Sequence, residues 1–100
     1  MVLIILLFAS RVFGCKGGVG DDILVDSLMR AYKDGNDILS LSLGGAQGWT
    51  STVTAVVASR IAAKGRIVTI AAGNDGRYGG WYASSPGVAI DAISVASVEK

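Results

Sequence analysis

The apolar run at residues 67–72, which ends in Gly73 and Asn74, constrains the fold of this chain more than any other segment. Ile67, Val68, Thr69 and Ile70 are all β-branched, and a mostly apolar run of β-branched residues is typical of a buried strand. In open α/β folds, ligands bind at the carboxyl ends of parallel strands. We therefore expect Asn74 to lie at such an edge, where its amide can donate a hydrogen bond to developing negative charge.

The rest of the chain alternates between strand and helix patterns. We predict a strand at 3–13, a helix at 21–33, a strand at 37–43, a helix from Thr50 or Ser51 to just before Gly65, a strand from Ile67, a loop at 74–86 and a strand at 89–98. Such alternation indicates right-handed βαβ crossovers and a mostly parallel sheet. The predicted class is α/β with flanking helices, as one partial domain over residues 1–100.

Residue patterns within the two helices indicate how they start and which faces are buried. Asp21 and Asp22 complement the dipole at the start of the first helix and can cap its free N–H groups. In the second helix one apolar face is predicted, with alanines nearby for close packing. That face consists of Val53, Val56, Val57 and Ile61.

Composition excludes several functional classes. The chain has 100 residues, 51% of them hydrophobic, with a mean hydropathy of +0.52, so some apolar surface is expected to meet a partner or further chain. A net charge of +1 with scattered basic residues gives no basis for nucleic-acid binding. A single cysteine excludes an internal disulfide, and the absence of histidine removes the usual general base of a serine nucleophile.

The apolar residues 1–9 allow two interpretations. A buried strand is the first, and a remnant of a signal peptide is the second, although basic residues do not precede the run and no good cleavage site comes after it. The run is too short for a membrane span, which needs about 20 apolar residues.

Two short segments are expected to meet at the carboxyl edge of the sheet: Ser42, Leu43, Gly44 and Gly45 after one strand, and Ala72, Gly73 and Asn74 after the next. Glycines there leave room for another backbone, and an extended peptide can then pair with the exposed strand. The alternative is that the glycines are turn residues and that Asn74 caps the loop.

These segments resemble the middle of a subtilisin-like serine protease. Ser42-Leu43-Gly44-Gly45, followed by Ala71-Ala72-Gly73-Asn74-Asp75-Gly76, matches the family in order and spacing. The segments 11–15 and 21–24 resemble secreted fungal and bacterial members, and 82–86 and 93–98 match the family's segments after the oxyanion asparagine. The resemblance covers residues 10–98 and implies a partial three-layer fold.

The resemblance implies a role for each matching residue. Asn74 corresponds to the oxyanion-hole asparagine, Ser42, Leu43 and Gly44 to the strand that pairs with substrate, and Gly45, Ala72 and Gly73 to a pocket wall. The family's catalytic aspartate and histidine lie before this region and its serine after it. The implied protein is an extracellular serine endopeptidase acting on peptides or proteins, of which this chain is an inactive central fragment that needs the missing remainder of the catalytic domain.

Other functions have weaker support in the sequence. A non-catalytic peptide-binding relic of a protease is the main alternative. The glycines from Gly14 to Gly20 lack the dinucleotide fingerprint, and Asp21 and Asp22 would repel a phosphate. We therefore expect no cofactor, and we expect no metal site because no clustered carboxylate loop is present. Tyr78, Trp81 and Tyr82 are expected either to wall the substrate cleft or to pack the loop.

Overall fold

Helices and strands alternate along the chain in the computed structural model, which describes residues 4–46, 49, 52–79 and 82–98. The elements in chain order are α1 (Asp21–Lys33), β1 (Ile38–Leu41), β2 (Gly45–Ala46), α2 (Val53–Ala63), β3 (Ile67–Ala71), a 3₁₀ helix (Gly76–Tyr78), β4 (Ser84–Ser85) and β5 (Ile93–Val95).

Helix α1 confirms the predicted bounds. Leu24 and Leu28 are one helical turn apart and both are buried. The chain leaves the helix at Asp34 and at Gly35, and the φ of Gly35 is +81°. The prediction of a carboxylate cap is wrong: Gly20 occupies the N-cap position and no side-chain cap hydrogen bond is made. The Asp21 carboxylate instead accepts a hydrogen bond from the Thr54 hydroxyl of α2 at 3.0 Å.

Helix α2 buries Ile61 of the predicted apolar face and alanines predicted to pack beside it, whereas the three valines of that face are not fully buried. Val53 is 60% exposed and Val56 and Val57 are half-buried, whereas Thr54, Ala55, Ala58 and Ile61 are buried. Small side chains let the helix approach the sheet closely, so the alanine stripe faces the core and the valines lie at its margin. Thr50 and Ser51, the predicted caps, lie outside the described residues, and Thr52 occupies the N-cap position.

Strands β1, β3 and β5 form a parallel sheet in that order. Leu39, Val68 and Ile70 point to one face of it and join α1 and α2 in a single core that includes Leu28, Ala55, Ala58, Ile61 and Ala89. The predicted α/β class with a mostly parallel sheet and flanking helices is confirmed. The described residues supply one helix layer and the sheet, and Ile38, Ile67 and Ile93 on the other face remain exposed.

The predicted strand at 3–13 is wrong for residues 4–13, which form no strand. Ile4 and Leu7 are 88% and 87% exposed, rather than covered on both faces. A groove of about 560 Å³ separates this segment from β1 and the side of α1. Hydrophobicity alone does not make a strand, because a strand needs a neighbouring backbone within about 5 Å to pair with.

The predicted loop at 74–86 contains the 3₁₀ helix and the short strand β4, which pairs antiparallel with β2. The predicted last strand is shorter than expected: Ile93–Val95 forms β5, and residues 86–91 are mostly in turns, with Ala89 buried in the core. No helix in the described part of the chain is both long and apolar enough to cross a membrane.

Candidate functional site

The carboxyl ends of β1 and β3 meet at one edge of the sheet, as the sequence predicts. The two strands are parallel and in register, with Leu41 opposite Ile70, so the segments after them emerge side by side. Between them lies a cavity of about 240 Å³. It is lined by Phe13, Ser42, Leu43, Gly44, Ala71, Gly73, Asn74, Asp75 and Ser84.

The cavity brings together most of the residues that the sequence singled out. Ser42, Leu43 and Gly44 form one side, and Gly73 and Asn74 form part of the other. Gly45 and Ala72 do not line it. Gly45 pairs with Ser85 in the small antiparallel sheet, and Ala72 donates its N–H to the Val95 carbonyl at 2.9 Å.

Asn74 follows a sharp turn at the end of β3. Gly73 has a φ of +98°, a backbone conformation that residues with a Cβ rarely adopt. This conformation turns the chain out of the strand. The Asn74 side chain is exposed and lines the cavity. Among the described residues the Asn74 side-chain amide makes no hydrogen bond, so the alternative interpretation of Asn74 as a loop cap is not supported there.

Backbone available for strand pairing lies beside Asn74. Ser42 and Leu43 fall between β1 and β2 and belong to neither sheet. Unpaired backbone at the end of a strand can accept a peptide as an added strand. The geometry therefore places unpaired backbone and an amide donor on the two sides of one cavity.

At two of the site glycines, Gly44 and Gly73, the space that a side chain would fill is occupied by another part of this chain. A Cβ at Gly44 would lie 2.8 Å from the Ser84 hydroxyl and 2.8 Å from the Ser85 carbonyl oxygen, and one at Gly73 would lie 2.9 Å from the Ser84 Cβ. Gly45 has nothing within 4 Å of such a Cβ. Of these three glycines, Gly45 thus keeps open space of the kind expected for an approaching backbone.

Ser84 is one of four cavity residues that were not predicted as site residues, and the others are Phe13, Ala71 and Asp75. Ser84 is 3% exposed, its hydroxyl donates to the Ala71 carbonyl at 2.7 Å, and its N–H donates to the Ala72 carbonyl at 2.8 Å. Next to it, the Ser85 hydroxyl is hydrogen-bonded to the Thr52 hydroxyl at the start of α2. A serine in a polar loop carries no periodic signal, so the sequence offered only its place in the matched segment 82–86.

The aromatic residues of the loop pack on each other. The rings of Tyr78 and Tyr82 are 5.4 Å apart at an interplanar angle of 49°, and the Arg77 guanidinium lies 4.7 Å from the Tyr78 ring centre. Neither tyrosine lines the cavity, which favours loop packing over a substrate wall. Trp81 lies outside the described residues.

Two comparisons with known proteins identify the family. Residues 5–100 match the sequence profile of the Subtilase family, peptidase S8. The chain is also 31% identical over 93 residues to the minor extracellular protease Vpr of Bacillus subtilis (strain 168), an alignment that covers 93% of this chain and 11% of Vpr. The chain thus spans about a tenth of that relative's length. These matches show that the chain belongs to the subtilase family.

Proposed function

We propose that this chain is the substrate-cleft and oxyanion part of a subtilisin-like serine endopeptidase. The observation that carries the proposal is the cavity that joins Ser42, Leu43 and Gly44 to Gly73 and Asn74 at the carboxyl ends of two parallel strands. Family membership supports a peptide or protein substrate. The name of the relative Vpr supports an extracellular location.

Each side of the cavity has a chemical role in this proposal. An extended peptide pairs with the backbone of Ser42 to Gly44, which holds its scissile carbonyl beside Asn74. As a nucleophile attacks that carbonyl, negative charge grows on its oxygen, and the Asn74 amide donates a hydrogen bond to it. In subtilisin itself, loss of the corresponding donor costs about 10²–10³ in turnover.

The general base and the nucleophile are proposed to come from other parts of the protein. The chain contains no histidine, so these residues alone cannot assemble a serine–histidine–aspartate triad. We expect the isolated chain to hydrolyse no peptide and to take no label from a serine-directed fluorophosphonate. Labelling together with peptide hydrolysis would refute this.

The decisive experiment uses the coding sequence on both sides of this segment. A His-Gly-Thr segment upstream and a Gly-Thr-Ser segment downstream would supply the missing groups, and the protein that contains them is expected to be active. In that protein, Asn74→Ala should lower kcat by about 10²–10³ with little change in KM.

Asn36→Ala is the matched control for this experiment. Asn36 donates its side-chain amide to the Ala31 carbonyl at the end of α1, at 2.8 Å, and it does not line the cavity. Its loss removes an asparagine hydrogen bond without touching the proposed site. Equal kcat values for the two variants would refute the oxyanion role.

The lack of histidine also favours a second candidate, a non-catalytic relic that holds extended peptides at Ser42 to Gly45. It requires a folded chain that binds peptide without cleaving it. Two results together distinguish the protease fragment from the relic: a calorimetric titration of the isolated chain with an extended peptide, and the coding sequence on both sides of this segment. Binding in the absence of His-Gly-Thr and Gly-Thr-Ser segments supports the relic, and an absence of binding refutes it.

A further inference from the structure

Ser84 lies where three parts of the cavity wall meet. Its side chain is 3% exposed and sits between Gly44 and Gly73, close enough that a methyl group on either glycine would collide with it. Its backbone belongs to β4 and lies opposite Ala46 of β2. One residue therefore contacts the segments after both strands that build the cavity.

The hydrogen bonds of Ser84 converge on the end of β3. Its hydroxyl donates to the Ala71 carbonyl at 2.7 Å, and its N–H donates to the Ala72 carbonyl at 2.8 Å. The parallel ladder of β3 with β5 ends at Ala71, which is opposite Val95. The hydrogen bonds of Ser84 therefore lie at the end of the sheet, next to the bond from the Ala72 N–H to the Val95 carbonyl and immediately before the turn at Gly73.

We infer that Ser84 is a positioning residue, which holds the Ala71 and Ala72 carbonyls and thereby fixes where Asn74 lies at the cavity. The chain beyond Ala72 has left the ladder, and Asn74 itself makes no side-chain hydrogen bond among the described residues, so the Ser84 bonds and the bond from the Ala72 N–H to Val95 are the last contacts that hold the chain before Asn74. A donor can stabilise charge only where its geometry is held in advance. The inference rests on the proposed function in taking the cavity as the peptide site.

The test compares Ser84→Ala with Ser59→Ala in the full chain. Ser59 is a matched control because its hydroxyl also makes a long-range bond to backbone, accepting the Ile90 N–H at 3.0 Å, and it does not line the cavity. Nuclear magnetic resonance of the isotope-labelled chain follows the Gly73 backbone amide and the Asn74 side-chain amide. Titration with acetylated tetra-alanine amide measures peptide affinity.

Ser84→Ala is expected to shift both signals and to weaken peptide binding about fivefold, the effect of losing one net hydrogen bond. Ser59→Ala is expected to leave both signals in place even if it lowers the melting temperature as much, which separates positioning from general stability. Signals at Gly73 and Asn74 that stay in place in Ser84→Ala would overturn the inference.

Two further outcomes keep the test decisive. If Ser84→Ala does not fold, hydrogen exchange of the unaltered chain tests whether the Ser84 hydrogen bonds hold the end of β3. Slow exchange of the Ser84 backbone amide supports the inference, and exchange as fast as that of the exposed Lys16 overturns it. If the unaltered chain binds no peptide, that result counts against the proposed peptide site alone. The Gly73 and Asn74 signals still decide the role of Ser84.

Discussion

Replacing Gly87 with alanine is expected to destabilise this chain, although the substitution adds a single methyl group. Gly87 is buried in the turn after β4. A Cβ there would lie 2.5 Å from the Ala71 carbonyl oxygen and 3.0 Å from both the hydroxyl and the carbonyl oxygen of Ser84. Contacts under 3.0 Å are essentially never made by real Cβ atoms, so part of the structure must move.

The size of the effect depends on the atoms that would have to move. The Ala71 carbonyl is backbone at the end of the β3 ladder and already accepts the Ser84 hydroxyl, so it cannot swing aside as a flexible side chain would. Overpacking of this kind costs about 1–3 kcal/mol. For a domain of this size, each kcal/mol lowers the melting temperature by about 4–8 °C.

Thermal unfolding followed by circular dichroism measures this effect, with Gly76→Ala as the matched control. Gly76 is an exposed glycine of the 3₁₀ helix, and a Cβ there would have nothing within 4 Å. Its replacement should change the free energy of unfolding by less than about 0.5 kcal/mol or raise it slightly. A Gly87→Ala chain that melts at the same temperature as Gly76→Ala would refute the predicted clash.

Burial and hydrogen bonding lead to three other predictions. In a urea titration, Ile70→Ala should lower the free energy of unfolding by about 2–5 kcal/mol because Ile70 is 1% exposed. Ile93→Ala, at a 55% exposed position, should lower it far less. Thr54→Val keeps the shape of a buried side chain but removes its bond to Asp21, so a loss of about 1 kcal/mol is expected, and an unchanged denaturation midpoint would contradict it. Asn74→Ala, at an exposed position, should alter the free energy of unfolding by less than about 0.5 kcal/mol, and a larger loss would indicate a structural role instead.

Much of the fold can be predicted from local patterns. Helix α1 begins at Asp21 and ends at Lys33 as its apolar spacing and its terminal residues indicate, and β3 occupies the β-branched run from Ile67. Both patterns are local, since one reflects helical periodicity and the other the strand preference of β-branched residues. The pattern of α2 predicts its buried face only in part, because Ile61 and the small alanines face the core but Val53 is exposed.

The candidate site can be predicted in part. Parallel β1 and β3 end at the same edge, so the meeting of Ser42 to Gly44 with Gly73 and Asn74 is a consequence of topology. The position of Ser84 does not follow from this topology, because β4 is two residues long and pairs with β2, which is distant from it in the sequence. Its position depends on contacts that no local pattern encodes.

By itself, the sequence determined the α/β class, the parallel neighbours β1 and β3, and an asparagine after the second of these strands. These features depend on the periodicity and residue preferences of short segments. Only the tertiary structure decided that residues 4–13 form no strand and that Gly44 and Gly73 make room for Ser84. The physical reason is that strand pairing and close packing depend on which backbone lies alongside, and that partner comes from a distant part of the chain.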